Sequence, residues 1–297
     1  MTILSAAETD TGESFCRLCG GAATFSFTEK ILEKHPVAYW RCGQCGSLQT
    51  DRPYWLSEAY KSIVPVRDTG MVARTLQMAQ ITSLLLRIAG VGAQAIGLDW
   101  GGGNGLFCRM MRDQGFNFLN YDKYAEPFYC VGFAADQAAV SPCDVVTSFE
   151  VFEHLPDPKS DLAEIVALNP RIWIFSTQLY HGQASDWDYL ALNTGKHVFF
   201  YSERGLHELA EKHGFQFIAG RHLHMFMRRA DNPYFRGDHA PRFARMILDG
   251  GKFAGLAAAL HFFTRQRRAY LRWQADREAL GPRGLSPLPH SSFDKNN

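Results

Sequence analysis

A glycine-rich segment near the middle of the chain has residue types suited to binding a nucleotide-type ligand. Residues 99–105 read DWGGGNG, which fits the spacing D-x-G-x-G-x-G. Glycine residues reach positive φ and let a ligand lie against bare backbone. At the start of a following helix the first N–H groups are unpaired, and they suit a carboxylate or a phosphate. The segment therefore predicts a ligand-binding turn between a strand and a helix.

Two acidic residues narrow the choice of ligand. The dinucleotide fingerprint G-x-G-x-x-G is not met, because its third glycine would fall on Leu106. Asp99 suits a ligand that carries an ammonium and a sulfonium group, and it suits a pyrophosphate poorly. Asp122 lies 23 residues further on, at the end of a predicted strand, where a carboxylate can accept hydrogen bonds from both ribose hydroxyls. Loop and acids together favour a positively charged nucleoside.

The loop resembles the first motif of class I S-adenosylmethionine-dependent methyltransferases. Residues 148–158, SFEVFEHLPDP, are similar to the fourth-strand segment of a methyltransferase subgroup that reads fEVlEHl. The resemblance covers roughly residues 10–220 and implies S-adenosylmethionine as the cofactor. It makes Glu153 and His154 catalytic candidates; the alternative is a strand end that packs on a helix N-terminus. The cofactor-binding residues that it implies are Asp99, Gly101, Gly103, Gly105, Asp122, Phe149 and Glu150.

Four cysteines before residue 50 form two Cys-x-x-Cys pairs. The pairs are Cys16 with Cys19 and Cys42 with Cys45, 22 residues apart, which is the ligand spacing of a tetrahedral zinc site. Four thiolates leave no open position for a substrate, so the predicted zinc is structural. Two disulfides or free thiols are the alternatives, and an intracellular chain disfavours disulfides. The remaining cysteines, predicted to be buried apolar residues, are Cys108, Cys130 and Cys143.

A histidine in the segment after the predicted strand RIWIFSTQ is the candidate base. His197 lies outside any clear helix, and imidazole titrates near neutral pH.

With a zinc ribbon before a methyltransferase core, the chain resembles the bacterial enzymes that methylate sugar carbons on nucleotide-linked sugars. Such ribbons also precede ribosomal RNA methyltransferases. In the sugar enzymes the corresponding segment reads Y-x-E-H before an aromatic-Ser step. His197 and Ser202 match that frame, whereas its Tyr and Glu positions fall on Thr194 and Lys196. The departure leaves O-methylation open.

The elements that must position these residues form an α/β fold, a doubly wound and mostly parallel Rossmann-like sheet. From about residue 70, strand patterns alternate with helix patterns, which is typical of a parallel sheet covered on both faces. Ser202 is predicted to cap the last helix of the alternation and Gly214 to end it. The predicted strands are AIGLDW, NFLNYD, CDVVTSFEVF, RIWIFSTQ, FQFIAG and RHLHMFMRR, and the helices are MVARTLQMAQITSLLLRIAG, GLFCRMMRDQ, DLAEIVALN and SERGLHELAEKHG.

The pattern predicts five regions along the chain. They are a flexible N-terminus at 1–14, a zinc ribbon at 15–50, a connector at 51–69, a methyltransferase domain at 70–230 and a basic helical extension at 231–297. DNPYFRGDHAPRF at the start of the extension is predicted to be a polar loop, and residues 251–280 are predicted to form amphipathic helices.

Charge is unevenly distributed along the chain. Residues 221–297 carry 14 Lys and Arg against 6 Asp and Glu, although the whole chain has a formal charge of +1. A basic extension can contact nucleic acid, anionic lipid or a phosphorylated substrate, and the alternative is a solvated helix face. No apolar run reaches the roughly 18 residues of a membrane span. The first residues lack the pattern of a signal peptide. We expect a soluble, cytoplasmic chain, with the C-terminal helices as a surface for oligomerisation.

The sequence favours a methyltransferase that acts on a small-molecule acceptor, such as a nucleotide-linked sugar or a polysaccharide precursor. An RNA methyltransferase and a non-catalytic S-adenosylmethionine sensor or scaffold are the alternatives. Nucleic acid is the less favoured partner, because the ribbon is only mildly basic and residues 148–151, SFEV, lack the Asn-Pro-Pro-Tyr-like run of base N-methyltransferases. Side chains predicted to line the acceptor pocket are those of Tyr180, His181, Asp186, Trp187 and Tyr189.

Overall fold

The computed structural model describes residues 14–61, 70–135, 142–221, 223–230 and 240–249, together with four single positions between 272 and 278. The chain divides into two compact units. The first unit takes the described residues of Met1–Val64, Phe152–Ala163 and Thr177–Lys212. The second takes those of Pro65–Val151, Glu164–Ser176 and His213–Asn297. Each unit is thus assembled from segments that are distant in the sequence.

The first unit is built on an antiparallel sheet of five strands in the order β1-β2-β3-β4-β9. Its last strand comes from a segment 150 residues beyond the others, and Leu48 of β4 pairs with Phe200 of β9. The elements of the unit are β1 (Ser14–Phe15), β2 (Ala22–Ile31), β3 (His35–Cys42), β4 (Leu48–Thr50), α1 (Leu56–Ala59), two 3₁₀ helices (Phe152–His154 and Asp188–Leu190), β9 (Phe199–Phe200) and α5 (Glu203–Lys212).

One apolar core joins the N-terminal segment of the first unit to the segment Thr177–Lys212. Tyr39 and Trp55 from the N-terminal part pack with Leu190 and Phe200 from the later segment. The indole N–H of Trp55 donates to the carbonyl of Gly195 at 2.7 Å. The predicted ribbon 15–50 therefore shares its sheet and its core with residues 177–212 within one unit.

The second unit is built on a six-stranded sheet in the order β10-β11-β8-β7-β5-β6. The four strands from β6 to β8 in this order are parallel, and β11 and β10 are antiparallel. The elements are α2 (Met71–Ile88), β5 (Ile96–Trp100), α3 (Leu106–Asp113), β6 (Asn117–Tyr121), β7 (Val145–Ser148), β8 (Ile172–Ser176), β10 (Phe215–Ala219), β11 (Leu223–Arg228) and α6 (Ala240–Leu248), and α4 (Pro158–Ala167) runs from the first unit into the second. The predicted mostly parallel sheet is confirmed.

Local sequence signals account for most element ends. Gly90 and Gly214 follow α2 and α5 with φ of +79° and +73°, a conformation that glycine reaches without strain. Ser202 caps α5, since its hydroxyl accepts the N–H of Gly205 at 2.9 Å. The prediction of a strand over CDVVTSFEVF was wrong at its C-terminal end. β7 stops at Ser148, because Glu150 has a φ of +55°, which no strand residue adopts.

The C-terminal extension is described only in part. The predicted loop DNPYFRGDHAPRF is wrong at its end, since α6 already begins at Ala240. The predicted helices of 251–280 lie outside the described residues, apart from the four single positions. One of these, Asp276, forms a buried ion pair with Arg112 of α3, so part of the extension packs within the second unit. None of the helices in the described ranges is long and apolar enough to cross a membrane.

Candidate functional site

The three motif glycines of the loop after β5 all adopt a left-handed backbone conformation. Gly101, Gly103 and Gly105 have φ of +75°, +54° and +82°. A side chain at any of them would be strained. Gly105 is also the N-cap residue of α3, and it has no side-chain oxygen with which to cap the helix. The N–H of Leu106, the first residue of α3, donates instead to Oδ1 of Asn104 at 3.3 Å. The other amides of the first turn are the candidates for binding a ligand, as the motif predicts.

Gly102 occupies an unassigned position of the motif and is the most tightly enclosed residue of the loop. A Cβ at this position would lie less than 3.0 Å from Oδ1 of Asn120 and from Oδ2 of Asp99. The backbone is held there because the amides of Gly101 and Gly102 both donate to the carbonyl of Tyr121, at 2.8 and 3.1 Å. This glycine is required by close approach and not by its φ, so the motif spacing gives no sign of it.

Asp99 is fully buried beneath the loop. Its Oδ1 accepts a hydrogen bond from the hydroxyl of Thr147 at 2.7 Å. Burial raises the pKa of Asp99 from its usual value to about 7, and the nearby carboxylate of Asp122 acts in the same direction, whereas the bond from Thr147 lowers the pKa. A buried carboxyl group with a pKa near neutrality is stabilised in its charged form by a cation.

Asp122 joins the glycine loop to the turn after β6. Its Oδ2 accepts the N–H of Gly103 at 2.9 Å, and its Oδ1 accepts the N–H groups of Tyr124 and Ala125 at 2.8 and 2.9 Å. These three bonds leave Oδ2 with one further lone pair. Asp122 thus has a structural role that its predicted role in ribose binding did not include.

A cavity of about 290 Å³ opens at the glycine loop. It is close to the lower end of the range for small-molecule sites, roughly 300–1,000 Å³. One wall comes from the first turns of α2, which the sequence analysis did not assign to a site, because an exposed polar helix face looks the same whether or not a ligand covers it. The lining residues are Met71, Arg74, Thr75, Met78, Asp99, Gly101, Gly102, Gly103, Asn104, Leu106, Phe107, Phe149 and Glu150.

The predicted residues after β7 line the same cavity. The ring of Phe149 meets the ring of Phe107 edge to face at 4.8 Å between centroids. Glu150 has a φ of +55° and is held by a reciprocal pair of bonds. Its N–H donates to the hydroxyl of Ser176 at 2.7 Å, and that hydroxyl donates to Oε1 of Glu150 at 2.9 Å. A non-glycine residue held in this conformation is typical of a ligand site.

The four N-terminal cysteines come together in the first unit. Their sulfur atoms all lie within 4.8 Å of one another. The Sγ atoms of Cys16 and Cys45 are 3.7 Å apart, and those of Cys19 and Cys42 are 3.5 Å apart. Four sulfurs at 2.3 Å from a central zinc would be separated by about 3.8 Å, whereas a disulfide needs about 2.05 Å. The spacing therefore fits a tetrahedral metal site and not two disulfides.

Backbone N–H groups point at the cysteine sulfurs, as in a metal knuckle. The amide of Gly21 donates to Sγ of Cys19 and the amide of Cys45 donates to Sγ of Cys42, each at 3.4 Å. Gly20 and Gly46 follow the pairs with φ of +80°. Such amide bonds stabilise thiolate charge.

Ser202 ties this cysteine cluster to the segment that carries His197. The hydroxyl of Ser202 donates to the carbonyl of Cys45, and its N–H donates to the hydroxyl of Ser47 at 3.1 Å. The guanidinium of Arg17 donates to the carbonyl of Val198 at 2.6 Å. The match of Ser202 to the sugar-enzyme frame thus falls on a residue with a structural role.

The three predicted catalytic residues lie together in the first unit. One ring nitrogen each of His154 and His197 and one carboxylate oxygen of Glu153 lie within 4.8 Å of one another. Nδ1 of His197 bonds to the carbonyl of Tyr189 at 2.6 Å, and Nδ1 of His154 bonds to the carbonyl of Lys196 at 3.1 Å. A carbonyl only accepts, so both Nδ1 atoms carry hydrogen and the lone pair of each ring is on Nε2.

The environment of His197 favours its neutral form. Burial lowers the pKa of His197 below its usual value, and the proximity of His154 lowers it further. The carboxylate of Glu153 and the Tyr189 carbonyl raise the pKa, but they do not outweigh burial. At neutral pH the imidazole is therefore an uncharged proton acceptor at Nε2.

An open cleft of about 540 Å³ lies in the first unit, and one of its lining residues, Tyr189, is the residue whose carbonyl bonds to His197. Of the five side chains predicted to line an acceptor pocket, those of Asp186, Trp187 and Tyr189 do so, together with Gln178, Gln183 and Asp188. Tyr180 instead packs in the apolar core. The two positions that depart from the sugar-enzyme frame lie near the cluster in sequence: the hydroxyl of Thr194 donates to the carbonyl of Ala191, and Lys196 lies over the ring of Tyr60.

The comparison with known proteins identifies the class of the chain. Residues 73–219 match a family model described as a methyltransferase domain. This segment is a methyltransferase domain with a Rossmann-like sheet, and the protein is an enzyme of this class. The prediction of a methyltransferase is confirmed. No curated protein sequence matches the chain.

Three solved structures are reported for comparison. The chain is similar to the magnesium protoporphyrin IX methyltransferase from Synechocystis PCC 6803, with 14% identity over 59% of this chain and 95% of that chain and a TM-score of 0.42. It is similar to 1,6-didemethyltoxoflavin-N1-methyltransferase from Burkholderia thailandensis, with 16% identity, 68% and 97% coverage and a TM-score of 0.42. A third is an O-methyltransferase family protein from Burkholderia thailandensis, with 11% identity, 61% and 64% coverage and a TM-score of 0.46.

The enclosed position of Gly102 generates a stability prediction. Gly102→Ala should lower the free energy of unfolding by about 1–3 kcal/mol, because the loop must shift to admit a methyl group. Urea denaturation measures this change. Gly92→Ala is the matched control, since a Cβ there meets nothing within 4 Å, and it should change stability little. Equal effects of the two substitutions would show that the loop is not tightly packed.

Proposed function

We propose that the protein transfers a methyl group from S-adenosylmethionine to a small-molecule acceptor. The main observation in favour of this cofactor is the buried carboxyl group of Asp99. It lies beneath a glycine loop, in a cavity next to a helix start without a side-chain cap. A buried carboxyl group favours a cation over a pyrophosphate. S-adenosylmethionine supplies an electrophilic methyl group when it is bound.

Each part of the cavity suits one part of this cofactor. The ammonium group is matched by Asp99, and the carboxylate by the first amides of α3 and by the guanidinium of Arg74 at the cavity wall. Asp122 is the ribose partner through the remaining lone pair of Oδ2. Phe149 and Glu150 line the same cavity and would contact the bound cofactor, as would Gly101 and Gly103 of the loop. Gly105 is not among the lining residues and contributes as the N-cap of α3.

We propose zinc as the metal of the cysteine cluster. Four buried or half-buried thiols at the sulfur spacing of a tetrahedral site, with amides aimed at two of them, support this assignment. All four positions are filled by protein, so the ion would be structural. Its role would be to hold β4 and the Ser202 segment, and through them the backbone around His197.

We propose that the cluster of Glu153, His154 and His197 serves the acceptor. Nε2 of His197 is the proton acceptor, and the Tyr189 carbonyl fixes the tautomer and the direction of the ring. Glu153 stabilises the imidazolium that forms when His197 takes the proton. His154 orients the side chains of Glu153 and His197. This arrangement would deprotonate a hydroxyl or an activated carbon.

The composition of the open cleft supports a polyhydroxylated acceptor. Trp187 and Tyr189 offer aromatic faces, and the carboxylates and amides that line the cleft can bond to hydroxyl groups. Among the described residues that line the cleft there is no Lys or Arg, which disfavours a phosphate at this position. The sugar part of a nucleotide-linked sugar or polysaccharide precursor fits this chemistry, and the departures at Thr194 and Lys196 favour a hydroxyl over a carbon as the methylated atom.

The direct test is turnover. Purified protein with labelled S-adenosylmethionine and a panel of nucleotide sugars, free sugars and RNA should form S-adenosylhomocysteine with a sugar and not with RNA. Turnover with RNA alone would replace the proposed acceptor class. Cofactor binding without turnover on any acceptor would favour a sensor or scaffold.

The raised pKa of Asp99 predicts a pH-dependent affinity. A bound cation favours the ionised carboxylate, so binding of S-adenosylmethionine should release a proton and strengthen by about fivefold from pH 6 to pH 7. Isothermal titration calorimetry in buffers of different ionisation enthalpy measures both effects. Asp99→Asn should remove the pH dependence and weaken binding. Asp113→Asn, on the exposed side of α3, should retain the dependence. A wild-type affinity that is constant over this range would contradict the assignment of Asp99.

The proposed base predicts a selective loss of turnover. His197→Ala should lower kcat by about 100-fold or more and leave S-adenosylmethionine affinity unchanged, because a general base contributes roughly 10²–10⁴ in rate. The exposed residue His207 on α5 gives the control, and His207→Ala should keep full activity. An active His197→Ala enzyme would place the base elsewhere. A second divalent metal per chain that is lost in His197→Ala would mean that the cluster holds a cation and not a proton.

The proposed zinc predicts a local change when the metal is removed. Chelation should increase hydrogen exchange at Leu48–Thr50 and at Phe199–Phe200, because the strand pair β4 and β9 is joined to the cluster through Ser202 and Cys45. Peptides from β5 serve as the internal control and should not change. Unchanged exchange at β9 after the metal has been lost would show that the ion does not position this segment.

A further inference from the structure

Two cysteines outside the N-terminal cysteine cluster lie unusually close to each other in the second unit. Cys108 on α3 and Cys130 in the loop after β6 have their sulfur atoms 2.6 Å apart. In the metal cluster the corresponding separations are 3.5 and 3.7 Å. A disulfide bond is about 2.05 Å long. The spacing of this pair is thus nearer to a bond than to a shared metal ion.

The backbone on both sides already brings these two residues together. A Cβ at Gly105 would lie 2.6 Å from Cβ of Cys130, so the glycine at the start of α3 makes room for the loop. The N–H of Tyr129 donates to the carbonyl of Asn104 at 2.8 Å. The N–H of Cys130 donates to the carbonyl of Pro127 at 3.1 Å. Little backbone movement is needed for the sulfurs to bond, which is the usual obstacle to a disulfide.

One of the two thiols is favoured as the nucleophile. The hydrogen bond from Cys108 lowers the pKa of Cys130, and the positive charge of Arg112 acts in the same direction against the opposing effect of burial. The thiolate is the form that reacts with oxidants. Cys130 itself is buried, but its neighbours Tyr129 and Val131 are 46% and 70% exposed, so a local opening of this surface loop uncovers it.

We propose that Cys108 and Cys130 form a reversible disulfide when the protein meets a hydroperoxide. The Cys130 thiolate attacks the outer peroxide oxygen, the O–O bond breaks and an alcohol or water leaves, which gives a sulfenic acid. The Cys108 thiol then attacks that sulfur, the S–S bond forms and water leaves. The two thiols thereby supply the two electrons that reduce the peroxide. A thiol reductant reverses the bond by exchange.

The bond would link the loop that carries Asp122 covalently to α3. Both elements adjoin the glycine loop: Asp122 accepts the N–H of Gly103, and α3 follows Gly105. If the proposed function holds, the oxidised protein should therefore exchange S-adenosylmethionine more slowly than the reduced protein. This consequence rests on the proposed function, whereas the formation of the bond does not.

The test is oxidation of the full chain with one equivalent of hydrogen peroxide, followed by peptide mapping without reduction. The expected result is a cross-linked peptide that contains Cys108 and Cys130 and disappears with dithiothreitol. The thermal midpoint of the oxidised protein should rise by about 5–10 °C, because the bond closes a loop of roughly 20 residues. The zinc content is measured in parallel, so that oxidation of the metal cluster is recognised.

Matched variants distinguish this pair from other oxidation. Cys130→Ala should lose the cross-link and the thermal shift, whereas Cys143→Ala, at another buried cysteine, should keep both. The wild-type map alone decides the proposal if a variant does not fold. Sulfinic acid without a cross-link, or a bond to Cys143, would overturn it. A cross-link in a protein that does not bind S-adenosylmethionine would uphold the disulfide and contradict the proposed function.

Discussion

The close approach of the loop backbone at Gly102 to the side chains of Asp99 and Asn120 is the constraint on which the cofactor side of the molecule depends. It holds the loop against the ends of β5 and β6, where the amides of Gly101 and Gly102 share the carbonyl of Tyr121. The same approach covers Asp99 and removes its carboxyl group from water, which raises its pKa to about 7. Loop shape and electrostatic preference thus have one cause.

In the first unit, the position of the cluster of Glu153, His154 and His197 depends on bonds to the part of the chain that carries the cysteine cluster. The last strand of the antiparallel sheet, β9, begins two residues after His197 and pairs with β4, which follows the second cysteine pair. Ser202 after β9 bonds to the carbonyl of Cys45, and Val198 before it accepts a bond from Arg17. The backbone around His197 is therefore anchored on both sides by residues of the predicted ribbon. Under the proposed function, a zinc ion held by the four cysteines would influence the position of His197 through these bonds.

The sequence was most informative where function imposes a local backbone requirement. The spacing D-x-G-x-G-x-G predicted three glycines at positive φ, and Gly101, Gly103 and Gly105 have it. The cysteine spacing likewise brought four sulfurs together. Signals of this kind depend on a few residues that are close in the sequence, so they can be detected in a single sequence.

Long-range packing was not predictable from the same patterns. Gly102 is required by contacts with side chains from two strands, and no local rule marks it. The run from Val198 to Tyr201 is rich in residues that favour strands, but only the fold shows that Phe199 and Phe200 pair with β4. Cys108 and Cys130 were predicted to be ordinary buried residues, since only the fold shows that they meet. The turn at Glu150 ended β7 early for a similar reason, as its partner Ser176 lies on another strand.

The assignment of the cofactor is tested by native mass spectrometry of the full chain with an equimolar mixture of S-adenosylmethionine, S-adenosylhomocysteine, NAD and FAD. We predict one bound S-adenosylmethionine or S-adenosylhomocysteine per chain and no dinucleotide, because a buried carboxyl group favours a cation and disfavours a pyrophosphate. A dinucleotide adduct, or no adduct on folded protein, would contradict it.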